Sequence, residues 1–122
     1  MLSYNVYKVL HLTGVFLVLI SLSATAFHVM SGGTKATNQF RKKLGILHGV
    51  GLLIALVAGF GLLARLQIFS TDMWIALKIA IWICFGLASA LLYRKPKSAK
   101  AVFWLTIVLA VAAAFLAIYK PA

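Results

Sequence analysis

Long apolar stretches separated by short polar breaks dominate the chain from its first turn to its last. The apolar runs cover residues 5–31, 40–67, 71–93 and 99–119. Each exceeds the ~20 residues a helix needs to cross a ~30 Å hydrocarbon layer. The runs are continuously apolar and rich in Leu, Ala and Ile, without the alternation of a membrane barrel, so helices are expected rather than strands. The breaks are too short to return a helix across the bundle, which forces an up-down-up-down order. The expected fold is all-α: an integral membrane, antiparallel four-helix bundle, with residues 1–122 forming a single membrane domain.

Composition agrees. Of the 122 residues 64% are hydrophobic, and the mean hydropathy is +1.06. A water-soluble globule of this size buries only part of its surface and could not hide so much apolar area. Lys8, the apolar run behind it and Ala24-Thr25-Ala26 imitate a secretory signal with a small-residue cleavage site. We expect this stretch to be kept as the first span.

A net charge of +11 would suggest nucleic acid in a soluble protein. Its distribution points elsewhere. Lys35, Arg41, Lys42 and Lys43 follow the first span; Arg94, Lys95, Lys97 and Lys100 follow the third. All fall on one side of the membrane, against Lys8, Arg65 and Lys120 on the other. The positive-inside rule puts the basic breaks in the cytoplasm and both termini outside, as expected in a bacterial inner (plasma) membrane. Anionic lipid headgroups, and not nucleic acid, are the expected partners of those breaks.

Membrane helices associate through close backbone contact. Gly45 and Gly49 form a GxxxG step in the second span, followed by Ala55 and Gly59. Ala76/Ala80 and Gly86/Ala90 repeat that spacing in the third, and the fourth offers Ala110, Ala113, Ala114 and Ala117. Trp74, Tyr93, Trp104 and Tyr119 suit aromatic belts at span ends. Thr71-Asp72, which includes the only acid of the chain, suits the start of the third helix. Cys84, the only cysteine, reads as a buried apolar thiol.

Four ionisable groups interrupt the apolar spans: His11, His28, His48 and Lys78. Such groups usually face the bundle interior or an aqueous cavity. Lys78 and Asp72 are six residues apart, so they point about 120° away from each other on a helix. Lys78 must therefore snorkel, be neutral, or meet an anion or metal from outside the chain. His11 lies at a similar depth, roughly 10 Å from the same face. A His and a Lys level with each other could grip one flat ligand, since imidazole is a common axial ligand of haem iron. A lysine amine that has shed its proton could serve opposite it. His11, Gly14, Val18, Ser21, Thr25 and His28 form a heptad seam on a supercoiled first helix. His28 then either lines the interior or touches headgroups, the latter slightly favoured. His48, beside Gly49 and Gly51, is expected inside, as a cofactor contact or as one end of an interhelical hydrogen bond. There is no phosphate loop, CxxC, HExxH or CxxCH, and one acid cannot form a carboxylate pair.

Tyr7-Lys8-Val9-Leu10-His11 in the first span and Trp74-Ile75-Ala76-Leu77-Lys78 in the third resemble the small membrane families HemJ and SirB. The ending Ile118-Tyr119-Lys120-Pro121 is similar to that of HemJ. The resemblance implies a haem b protein, possessing in HemJ a protoporphyrinogen oxidase activity, with His11 and Lys78 as the functional pair. The chain departs from HemJ in lacking a histidine at Cys84-Phe85-Gly86-Leu87-Ala88-Ser89 and in its shorter break after the third span. Leu47-His48 looks more like SirB. The leading expectation is a haem-associated redox protein, with a porphyrin or quinone as small-molecule partner. His11 and Lys78 are its candidate iron ligands, and His48 and His28 further cofactor contacts. The alternatives are a non-catalytic module that binds a partner, or a second copy, through its small-residue faces, and a proton or solute pathway.

Overall fold

The computed structural model describes residues 3–66 and 73–119. Helix α1 spans Tyr4–Met30, α2 Arg41–Leu66, α3 Met73–Arg94 and α4 Ala99–Tyr119, with a single 3₁₀ turn at Pro96–Ser98 before α4. All four helices are long and apolar enough to cross a membrane. The fold is the expected all-α bundle, and the helix ends fall within two residues of the apolar runs read from the sequence. Thr71-Asp72 and Lys120-Pro121 lie outside the described residues.

Local chemistry sets the ends. The Ser3 hydroxyl accepts from the Val6 amide at 3.3 Å and caps α1, satisfying one of the unpaired donors of its first turn. At the other end Gly32 turns the chain with φ +88°, a left-handed conformation that glycine adopts without strain. Asn38 then closes the connection. It is buried, its Oδ1 accepts from the Phe40 amide at 3.0 Å, and its Nδ2 donates to the Tyr93 hydroxyl at 2.9 Å. That last bond ties the first connection to the end of α3. Lys35, Arg41, Lys42, Lys43, Arg94, Lys95, Lys97 and Lys100 consequently gather, all exposed, at one end of the bundle.

Helix α1 packs against the other three, most extensively against α2, whereas α2 and α4 make no direct approach among the described residues. The order around the bundle is therefore α2, α1, α4, α3, with α1 and α3 across the short diagonal. Val18, Leu22 and Ala26 of α1 share one core with Ile75, Phe85 and Leu92 of α3 and Ala99 and Val102 of α4, and Ser21 and Thr25 of α1 are buried as well. The heptad seam of α1 is thus its buried face. Outward, large apolar side chains dominate, such as Val9, Leu53, Val57, Leu87 and Val111. Such a surface matches lipid, since soluble monomers rarely expose contiguous apolar patches beyond a few hundred Å².

The closest backbone approach is not at the GxxxG step. A β-carbon on Gly14 would stand 2.5 Å from the Ala55 nitrogen and 2.7 Å from the Gly51 oxygen; one on Gly51 would stand 2.8 Å from the Gly14 oxygen. Gly45 and Gly49 are exposed, with nothing within 4 Å of an added β-carbon. Cys84 is also exposed, on the groove between α3 and α4, and not buried as expected. An exposed thiol among apolar side chains meets lipid at little cost, because it behaves as a small hydrophobe.

Candidate functional site

Seven residues into α1, His11 turns toward α2. Its Nδ1 lies 2.7 Å from the carbonyl oxygen of Ala55. A carbonyl only accepts, so Nδ1 carries a proton, and in its neutral form the ring presents Nε2 with its lone pair. Gly59, one turn beyond Ala55, makes room for the ring: a β-carbon there would stand 3.2 Å from Nδ1 and 3.3 Å from Cε1. The sequence step Ala55/Gly59 therefore seats a histidine as well as a helix. Hydrogen bonding of one imidazole nitrogen to a backbone carbonyl is how metal-ligating histidines are commonly oriented.

Lys78 approaches from α3. With Trp74 and Trp82 it forms a column at i, i+4 and i+8, which a helix places on one face. Trp74 is buried, and not in a lipid-facing belt; the Lys78 ammonium lies 6.0 Å from its ring centroid, at the outer limit of a cation–π contact. The Trp82 indole donates to the Leu52 carbonyl at 3.0 Å and fixes α3 against α2. His11 and Lys78 together border three hollows, of about 90, 180 and 270 Å³. The first lies between α2 and α3, behind Gly59 and Trp82. The largest of the three is walled by Ala110, Ala113, Ala114 and Ala117 of α4, of which Ala110 and Ala113 also pack against the core. The remaining hollow runs to the start of α1, where Tyr4 and Lys8 form part of its wall.

The other two histidines are elsewhere. His48 is buried, at 8% exposure; neither ring nitrogen makes a well-aligned hydrogen bond among the described residues, although the Gly86 backbone of α3 faces the ring. It stands seven residues from Ala55, roughly 10 Å along α2 toward the basic end, and borders none of the hollows shared by His11 and Lys78. His28 lies seventeen residues beyond His11, roughly 25 Å along α1. Its Nε2 is 2.8 Å from the Thr34 carbonyl oxygen and 3.3 Å from the Thr37 hydroxyl, and Gly33 leaves space for its ring. It secures the first connection. Of the four candidates, the structure brings together His11 and Lys78 and keeps His48 and His28 in two separate layers.

Two contributors escaped the sequence reading. Trp82 follows Lys78 by four residues, a spacing that would have placed it on the same face. The Ala55 carbonyl has no sequence signature at all.

Donor chemistry limits what the site can hold. Among the described residues no group of three His, Cys, Asp or Glu side chains could hold a bare metal ion. A haem needs fewer, since its porphyrin fills four positions around the iron and leaves at most two for the protein. In number and type of donor, an oriented imidazole and a lysine amine bordering the same hollows meet that smaller demand. Compared with protein-family models, with curated proteins and with solved structures, the chain has no match in any of the three. Fold and site define a four-helix bundle of membrane-spanning dimensions, with an imidazole and an amine sharing one interior region.

Proposed function

We propose that this protein is a haem b-associated integral membrane protein of the HemJ/SirB type, with His11 and Lys78 as the iron ligands. The carrying observation is the 2.7 Å contact of His11 Nδ1 with the Ala55 carbonyl, which leaves Nε2 to a ligand in a region that Lys78 also borders. Haem bound there would supply a one-electron redox centre, and the activity proposed is that of an oxidoreductase resembling protoporphyrinogen oxidase. The residues do the rest. His11 is held in one tautomer by Ala55, Trp74 and Trp82 flank Lys78 with apolar surface, and the alanines of α4 leave room for a flat substrate or a quinone. The proposed setting is a bacterial inner membrane with both termini outside and the basic end on anionic headgroups in the cytoplasm. His48 and His28 fall outside this pair, and we assign them no ligand role.

The test is colour. Purified protein, or protein given haemin, should show a Soret band that shifts or disappears in His11→Ala and Lys78→Ala. No band under either condition would sink the reading; a band unchanged in both variants would move the ligands to His48 and His28.

A second reading is favoured by one observation, the outward position of Gly45 and Gly49 on α2. In it the protein is a non-catalytic module that packs on a partner helix or on a second copy. It predicts a colourless protein whose complex is lost in Gly49→Leu.

A further inference from the structure

We propose that the region bordered by His11 and Lys78 is loaded sideways from the bilayer, through the seam between α1 and α4, by a flat fused-ring molecule dissolved in the lipid. The carrying observation is a break in the packing of these two helices. Near the basic end they are closed: the rings of Phe27 and Phe103 lie 4.9 Å apart, and Ala26, Ala99 and Val102 are buried in the shared core. Eleven residues make roughly three full turns, so Phe16 repeats the face of Phe27 on α1 and Ala114 that of Phe103 on α4. The helices run antiparallel, which puts Phe16 and Ala114 at one level, where α4 offers a methyl group instead of a second ring. Here the seam is open. Phe16, at 57% exposure, Leu12 and Ala114 are all exposed, yet all three border the hollow of about 270 Å³ that reaches the buried Val18, Ile81 and Phe85. The same hollow borders His11 and Lys78, so one space meets lipid at its outer end and the imidazole at its inner end.

Size and walls select the guest. An apolar cavity of about 150 Å³ is enough for one benzene ring. The hollow behind α4 therefore takes a two-ring system, and a larger one where it continues into the neighbouring hollows. Its α4 side is a row of methyl groups, and Trp82 and Phe85 add aromatic surface from α3. An apolar ring loses nothing on leaving lipid for such walls, whereas a polar guest would first have to shed its water to cross the hydrocarbon. That the ring is a porphyrin rests on the haem reading; the route does not.

Stopped-flow loading of the full chain in phosphatidylcholine nanodiscs tests the route with two probes. Haemin is followed by its Soret band. Menadione, a two-ring quinone, is followed by saturable tryptophan quenching in a Trp104→Phe background, which leaves Trp74 and Trp82 beside the hollows as reporters. Ala114→Phe restores the missing ring opposite Phe16 and should slow both loading and release of menadione by roughly tenfold or more, the effect of one added increment of barrier. Val111→Phe adds the same bulk to α4 away from this hollow and should change neither rate. In a Cys84→Ser chain, bridging Phe16→Cys to Ala114→Cys with a cleavable thiol reagent should slow loading, and reduction should restore it in the same molecules. Loading that is indifferent to Ala114→Phe and to the bridge overturns the proposal and moves the entrance to the end of the bundle. Equal slowing by Val111→Phe, weaker binding at an unchanged rate, or a wild type that takes up neither probe also overturns it. If menadione loads through the seam while haemin gives no Soret band, the haem reading falls and the route stands. If haemin binds but neither probe is slowed by Ala114→Phe or by the bridge, the route falls and the haem reading stands.

Discussion

An imidazole inside a hydrocarbon layer either finds a partner or costs the bundle stability. His11 finds the Ala55 carbonyl in good geometry; His48, buried at 8% exposure, has only a poorly aligned approach to the Gly86 backbone. The two substitutions should therefore have opposite effects. His48→Leu keeps the volume and removes a buried polar ring whose hydrogen bonding is poorly aligned, and should raise stability by up to about 1 kcal/mol in a mixed-micelle unfolding titration. Loss of stability together with loss of the Soret band would show instead that His48 meets the cofactor. His11→Leu should cost about 1 kcal/mol, because the interhelical hydrogen bond disappears. The equal depth of His11 and Lys78 was legible in the sequence, since a fixed rise of 1.5 Å per residue converts counting into depth. Rotation about the axis was not. Helices that are apolar all round carry almost no directional signal, so depth set His48 apart from Lys78 but nothing showed which faces border a hollow. Nor could side-chain patterns point to a backbone acceptor such as Ala55.

At the level of helices, small residues serve three different ends here. Gly14 and Gly51 let α1 and α2 touch, Gly59 seats an imidazole, and the alanines of α4 border a hollow. The sequence displayed all of these steps with equal prominence, and the GxxxG at Gly45 and Gly49 most plainly, because spacing records opportunity and not which neighbour takes it up. Gly14→Ala should destabilise the bundle by about 1–3 kcal/mol, since the new methyl group meets backbone atoms that have no rotamer with which to yield. Gly45→Ala should leave the stability of a monomer unchanged within about 0.5 kcal/mol. Both are read from unfolding in mixed micelles, with cross-linking to detect self-association. A large cost at Gly45 accompanied by loss of a dimer band would support the partner-binding reading.

Over the whole molecule, the separation of charge is the plainest property and was the easiest to read. The Asn38–Tyr93 bond draws two basic connections to one end, so a count along the chain becomes a face of the molecule. With the proposed orientation, alkaline phosphatase fused behind the C-terminus should be active and a cytoplasmic fluorescent reporter there should be dark; the opposite pair of results reverses the topology. The uneven packing of the helices has a consequence in time. Most of the interhelical contact belongs to α1 and α2, and the Ala55 carbonyl that orients His11 lies inside this pair. In a chain that enters the bilayer in order, the first hairpin arrives with its imidazole already set. Lys78 comes later, on a helix that touches that hairpin lightly. Half of the site is thus built before the other half exists, which would give the proposed planar ligand an open side through which to enter during synthesis.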